Sequence, residues 1–569
     1  MKKLLYILSL FAFSVHAYAQ EKDWGRVSAS LESTSHVYAN DPANGFMPSE
    51  NLLQLNDGGV FASNNYLKAD YYKGRLSAGL QVEGYFPTTA GYPLAKNMLS
   101  LSNLYVSWVD ESYSVTAGTF YEQLGSGLLF RSWEDRALGL NNALIGARAT
   151  YRFKDFFSAR AFWGIPSMGK ISEDEYYMNL RNDFRYPAFG IGLTDVNVGA
   201  VDFSLSLSDC FGWDDILLSL EGSVMNKYEQ FSEYLLQTGF KKNNLGWSAR
   251  ANFDVNGFYF RGEHVAAGVQ AYQAMTAKNA NAQLFEIGYN KKGLGVSVSA
   301  RRLHSMNQRI YASSPMGFIA LTDYNPTVNV LSYCPALSTQ YTYMLANLNP
   351  YAPLTDGEAG GQIDAFYNFR RGTKIGGKRG MKVHANFSTY YSLNADGGFS
   401  GADRMMWDFS IDVEKQWTKK FKSTLMYSAQ NQNIYQTGVV LDNIGNRLEQ
   451  KLMVGQSHVF VADLLYKWTS ALSTRMELQY LSSNDFQKDW MAALLEVSFA
   501  PSWSVYASDM YNHGGSKMHY YNAGVSYSYR WVRVAAAYGR YRAGFICSGG
   551  VCREVPAYTG ASLTLTASF

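Results

Sequence analysis

Proline is scarce in this chain, at 13 of 569 residues, and cysteine scarcer, at four. No linker, low-complexity tract or shift in composition divides the sequence, so its length does not resolve into the several soluble domains it would otherwise suggest. Beyond residue 19 no apolar run is long enough for a membrane helix, which needs about 20 apolar residues; a helical membrane protein is excluded. Excess charge of either sign is also missing. Fifty Lys and Arg stand against 47 Asp and Glu, a formal net charge of +3, too little to argue for nucleic acid or another charged polymer.

The one apolar run runs from Leu4 to Val15, behind Lys2 and Lys3 and ahead of Ala17-Tyr18-Ala19. That order reads as a cleaved secretory signal peptide over residues 1–19. No cysteine follows it directly, so a lipoprotein anchor is not expected, and the mature chain begins near Gln20.

What is abundant is aromatic residues and glycine: 42 Tyr, 33 Phe, 12 Trp and 50 Gly. Tyr and Trp suit the water–lipid boundary, where a ring can sit in lipid with its polar edge wet. The dominant pattern is strict alternation. Met476, Leu478 and Tyr480 alternate with Arg475, Glu477 and Gln479; Trp407, Phe409, Ile411 and Val413 alternate with Asp408, Ser410, Asp412 and Glu414. The last nine residues, Ala561 to Phe569, do the same and end on an aromatic. Each such segment is a strand with one greasy and one wet face. A secreted propeller is the soluble alternative, but there are too many apolar faces and no helices to cover them. Lipid is the simplest cover, and closure removes the edges that lipid does not tolerate.

Connections alternate in length. Tight links such as Lys73-Gly74, Asp110-Glu111, Lys154-Asp155 and Thr469-Ser470 alternate with long ones, the longest from His304 to Gly360. The expected fold is all-β: a transmembrane antiparallel up-and-down barrel over residues 20–569, of about 26 strands (roughly 22–26), with short periplasmic turns and long extracellular loops. Strand-like alternation already starts at Val27, which leaves no room for the amino-terminal plug of TonB-dependent transporters. Any obstruction must come from loops. The segment 304–360, with five prolines, is the candidate lumen constriction or cap.

Cys547 and Cys552 flank four residues in one short loop, close enough for a disulfide in an exported protein. Cys210 and Cys334 can pair with each other or stay free. The stretch from Gly118 to Arg136 packs Glu122, Arg131, Glu134, Asp135 and Arg136 among glycines and aromatics. Mixed charges in one loop are expected to satisfy each other and brace the wall; the alternative is a ligand-binding or pore-lining loop. On the predicted lumen face Arg148, Arg152 and Arg160 make a basic strip, and Asp408, Asp412 and Glu414 an acidic one, where a selective pore would show one sign. The acidic run Asp356 to Asp364 lacks the spacing of a twelve-residue calcium loop and reads as a turn. No catalytic, cofactor or metal site is expected, and the scattered histidines show no nucleophile pattern.

The Tyr121-Glu122-Gln123-x-Gly125-x-Gly127 and Arg131-x-x-Glu134-Asp135-Arg136 stretches resemble an uncharacterised outer-membrane barrel family of the Bacteroidota. So do Ser332 to Leu337, Tyr341-Thr342-Tyr343, Asn349-Pro350-Tyr351 and the Cys547 to Pro556 loop. The resemblance implies a barrel in the outer membrane and brings no activity. The expected function is a porin-like channel for a hydrophilic solute, without enzymatic activity or cofactor. The alternative is a scaffold or accessory subunit of an assembly or secretion complex. Expected partners are outer-membrane lipid and another outer-membrane protein or surface lipoprotein.

Overall fold

The computed structural model describes residues 24–48, 60–92, 99–167, 196–231, 236–237, 239–272, 276–310, 330–435, 452–485, 488–549 and 551–569. The signal-peptide reading falls outside these residues.

Twenty-four strands form one closed antiparallel sheet. Each pairs with its successor. The ring is sealed where Arg26–Tyr38 runs against Tyr558–Ser568, with Leu31 opposite Ala567 and Val37 opposite Ala561. The count is two below the expected 26 and within the expected range. One extra hairpin, Gly544–Ser548 with Val551–Val555, stands outside the wall, and Val532–Tyr541 pairs directly with Tyr558–Ser568 past it. A wall of this many strands surrounds an interior too wide for side chains alone to fill.

Alternation sorts the two faces as the pleat demands. On Leu472–Ser483, Leu478 and Tyr480 are 45% and 41% exposed on the outside, while Glu477 and Gln479, one residue away, are 5% exposed. Outward Leu104, Val106, Trp163, Val224, Phe285, Ile363, Phe387 and Leu563 continue an apolar belt. This polar-in, apolar-out ring is an outer-membrane-type β-barrel. Trp108, Trp417, Trp468, Trp503 and Trp531 are exposed at or beside the short turns, where an aromatic belt meets the headgroups.

The inner face is what departs from an open pore. Lumen-facing side chains of a water-filled barrel stay wet, yet Ser388, Ser428 and Glu358 are completely buried here. They are covered by the chain's own loops.

Candidate functional site

Two long loops on the same side of the barrel turn into the lumen, and each lines a different part of the wall. The first, residues 121–143, leaves the Tyr113–Phe120 strand and returns to Leu144–Phe153. Glu122, 4% exposed, receives Arg148 at 2.9 Å and Arg160 at 2.8 Å, one guanidinium on each carboxylate oxygen. Arg160 also pairs with Asp202 at 2.8 Å, and Asp202 with Arg250 at 2.5 Å. Glu263 accepts a bond from the backbone N–H of Ser126 at 3.0 Å. Here Gly125 carries a φ of +56° and a Cβ would lie 2.1 Å from the Glu263 carboxylate, so glycine is required for the loop to come this close. Below the charges, Leu124, Leu128, Leu129 and Phe130 pack on Phe162, Val198, Met225, Val265 and Ala282 of the wall.

The far end of this loop reaches the opposite flank. Arg136 bonds Glu134 at 2.9 Å and Glu32 at 2.5 Å, and its guanidinium stacks 4.2 Å from the Tyr66 ring. The Asp135 carboxylate accepts the backbone N–H of Leu138 at 3.0 Å. Of the sequence-selected charges, Glu122, Glu134 and Arg136 brace the loop to the wall, Asp135 ties the loop to itself, and Arg131 lies over the Tyr333 ring of the second loop.

The second loop, residues 330–356, belongs to the long 304–360 segment, of which residues 304–310 and 330–360 are described. Tyr341 donates to Asp408 at 2.5 Å, with its hydroxyl 2.9 Å from Ser428; Tyr343 reaches Asp463 at 3.4 Å. The Leu345 N–H donates to Gln479 at 2.9 Å. Gln430 and Gln432 donate to the Ala346 and Asn349 carbonyls at 2.9 and 2.6 Å. Leu345, Ala346 and Leu348 bury themselves against Met426, Val459, Val461, Leu481 and Trp490. At the loop's base Arg301 and Glu358, 1% and 0% exposed, pair at 2.5 Å. Arg301 also donates to the Pro335 carbonyl, and Glu358 accepts from Tyr351 at 2.7 Å.

The extra hairpin joins the two loops. Cys547 and Cys552 are disulfide-bonded. The Cys334 N–H donates to the Gly549 carbonyl, and the Tyr333 N–H to that of Gly127, both at 2.8 Å. Trp133, Leu138 and Leu140 of the first loop, Val330 of the second and Val551 of the hairpin form one small apolar core. Cys334 and Cys210 are free thiols. Burial pushes the Cys334 thiol up to about 11. Between the second loop, the wall and the hairpin lies a cleft of ≈ 60 Å³ lined by Gln340, Tyr341, Asn349, Asp408 and Gln430. At roughly 10–15 Å³ per water, it has room for a few waters.

The predicted strips do not act as strips. Arg148 and Arg160 are both taken by Glu122, while Arg152 stays exposed beside the short turn. Asp408 binds Tyr341, Asp412 binds His384 at 2.7 Å, and Glu414 binds Lys422 at 2.9 Å. No constriction of one sign results. Toward the short turns the interior is wetter: His384, Asp412 and Glu414 are 26%, 30% and 44% exposed. Among the described residues no group of three or more His, Cys, Asp and Glu is arranged to hold a metal.

Sequence reading missed the wall side of this assembly: Arg250, Asp202, Glu263, Arg301 and Gln479. Each is an ordinary inward polar residue of an alternating strand, and only the loops' positions single it out.

No curated protein matches the sequence. Among solved structures, the siderophore receptor PirA from Pseudomonas aeruginosa aligns at 8% identity and TM-score 0.41, over 97% of this chain and 82% of that one. The P pilus usher PapC translocation pore aligns at 9% and 0.42, over 95% and 99%. A Rhodopseudomonas blastica porin mutant aligns at 13% and 0.26, over 62% and 100%. At these scores the likenesses add nothing to the barrel that strand pairing already establishes. A family model matches residues 1–569 from end to end, and the chain belongs to that family, the family of unknown function DUF6029.

Proposed function

We propose that the protein is a non-enzymatic, loop-gated channel for a hydrophilic solute across the outer membrane, exported by a cleaved signal peptide. The observation that carries this reading is the unequal lumen: filled by two braced loops at mid-height, wet toward the short turns. A permanent structural filling has no need of an open vestibule below it. Because the inward charges neutralise one another, the passage favours neither cations nor anions strongly.

Planar-bilayer recording tests it. Wild-type protein is expected to give small or infrequent openings. A variant with residues 338–349 replaced by a short Gly-Ser linker is expected to give large, steady conductance while keeping the heat-modifiable gel mobility of a folded barrel. Silence from both, with folding intact, overturns the proposal.

The filled lumen also supports a second reading, a scaffold for another outer-membrane protein or surface lipoprotein. Mild-detergent extraction at native expression level then yields a stoichiometric partner; a clean monomer counts against it.

A further inference from the structure

The short turns carry a charge pattern that neither the barrel nor the gate requires. Lys291 and Lys292 lie at the turn after Thr276–Lys291. The next short turn, between Gly357–Phe369 and Met381–Ser392, brings Arg370, Arg371, Lys374, Lys378 and Arg379. Lys419 and Lys420 follow between Arg404–Gln416 and Phe421–Tyr435, and Lys467 ends Leu452–Lys467. Four successive turns thus hold these ten cations and no Asp or Glu. The four turns before them are the reverse. Asp110, Glu111, Asp155, Asp209, Asp214, Asp215 and Asp254 stand there with only Arg152 and Lys154. A chain of net charge +3 has therefore sorted its charge around one rim.

None of the ten cations makes an ion pair among the described residues, and all but Arg379 are exposed. The rim is also aimed. Lys415 is on the outward face of its strand, one residue from inward Glu414, and donates to the Ile375 carbonyl at 3.1 Å. That bond holds the 370–380 turn over the lipid-facing edge of the wall. Ile375, Trp417 and Trp468 are 55%, 53% and 53% exposed there, and Lys420 donates to the Trp468 carbonyl at 3.1 Å. Basic side chains just beyond an exposed aromatic and aliphatic band face the headgroup layer, where anionic phosphates attract them.

We propose that this crescent is a binding surface for anionic phospholipid headgroups of the inner leaflet of the outer membrane. The leaflet assignment rests on the reading of the short turns as periplasmic; the lipid preference does not. An acidic periplasmic protein is the competing occupant, but a turn tied to an outward lysine is placed for lipid rather than for the mouth of the lumen.

Full-length protein in detergent is incubated with phosphatidylglycerol and phosphatidylcholine of identical acyl chains, and retained lipid is measured by native mass spectrometry. Phosphatidylglycerol is expected in several-fold excess, falling as sodium chloride rises from 50 to 500 mM. Combining Arg371→Gln, Lys374→Gln, Lys378→Gln and Arg379→Gln is expected to cut that excess at least twofold, with heat-modifiable mobility unchanged. Lys488→Gln with Lys517→Gln, on the long-loop side, should leave it intact. Equal retention of both lipids by the wild type, an unchanged excess in the fourfold variant, or capture of an acidic protein without lipid preference overturns the proposal. Separately, Lys374→Cys should resist an impermeant maleimide in intact cells. Labelling there would overturn the leaflet assignment while the lipid preference in detergent still stood.

Discussion

The Arg131 guanidinium lies 4.0 Å from the ring centroid of Tyr333, bridging the first inward loop to the second. The backbone adds to this bridge, since the Arg131 N–H donates to the Leu331 carbonyl at 2.9 Å. A cation over a ring in a desolvated setting contributes up to about 2 kcal/mol. Tyr333→Leu keeps the apolar contact with Trp133 and removes the stacking. Openings in bilayer recordings should become several-fold more frequent, while the unfolding midpoint of the wall stays put. An unchanged opening frequency would show that the junction is not part of the gate.

Glu122 serves two arginines at once, so its removal leaves both short of a carboxylate. Glu122→Gln should destabilise the loop by about 1 kcal/mol, because Arg148 and Arg160 are part-exposed and Arg160 keeps Asp202. Hydrogen exchange over residues 121–130 should rise, and exchange in the Leu472–Ser483 strand should not.

The Arg301–Glu358 pair is more deeply buried, and one-sided removal should cost more. Glu358→Ala leaves an uncompensated buried cation, at about 3–5 kcal/mol. Adding Arg301→Met should recover most of that loss. Urea midpoints of the single and double variants measure the difference; a double variant as unstable as the single one would show that packing, not charge, is at stake.

Thiol chemistry separates the four cysteines. Cys210 is exposed on the short-turn side, Cys334 is buried, and Cys547 is bonded to Cys552. With its thiol pushed up to about 11 by burial, Cys334 stays protonated and unreactive at neutral pH. Maleimide on the folded protein should modify Cys210 alone. Denaturation should add Cys334, and only reduction should add the other two, as read by peptide mapping.

Asp41 supplies a pH test outside the membrane. Burial acts to raise its pKa, but Arg540, bonded at 2.7 and 3.1 Å, and Thr559, at 2.7 Å, outweigh that and hold it below the ordinary 3.8. A lowered carboxylate contributes stability above its unfolded pKa and loses it as pH falls through the folded value. Exchange protection over residues 38–46 should hold to pH 4 and drop only in stronger acid. Asp41→Asn should remove that acid dependence.

The wall was legible in the sequence because a strand's period of two survives any tertiary setting: Glu477 in and Leu478 out follow from the pleat. Turn lengths gave the topology, and Cys547 with Cys552 the one covalent link. The loops were not legible, since nothing in Tyr341 or Gln479 announces that they share a neighbourhood. Their pairing depends on how far 27 residues reach across a ring whose width the sequence does not encode. The paired fate of Arg148 and Arg160 was half visible. Mixed charge in the 121–136 stretch implied self-satisfaction, but not that Glu122 would take both cations from neighbouring strands.

The seam between Arg26–Tyr38 and Tyr558–Ser568 sets an order of assembly. Every other wall contact joins strands consecutive in the ring's own sequence order, whereas this one joins segments more than 500 residues apart, the costliest loop to close. Until it pairs, each of these two strands presents an unpaired edge, which lipid does not tolerate. Closure of the ring therefore rests on this single pairing of its two sequence-distant edge strands.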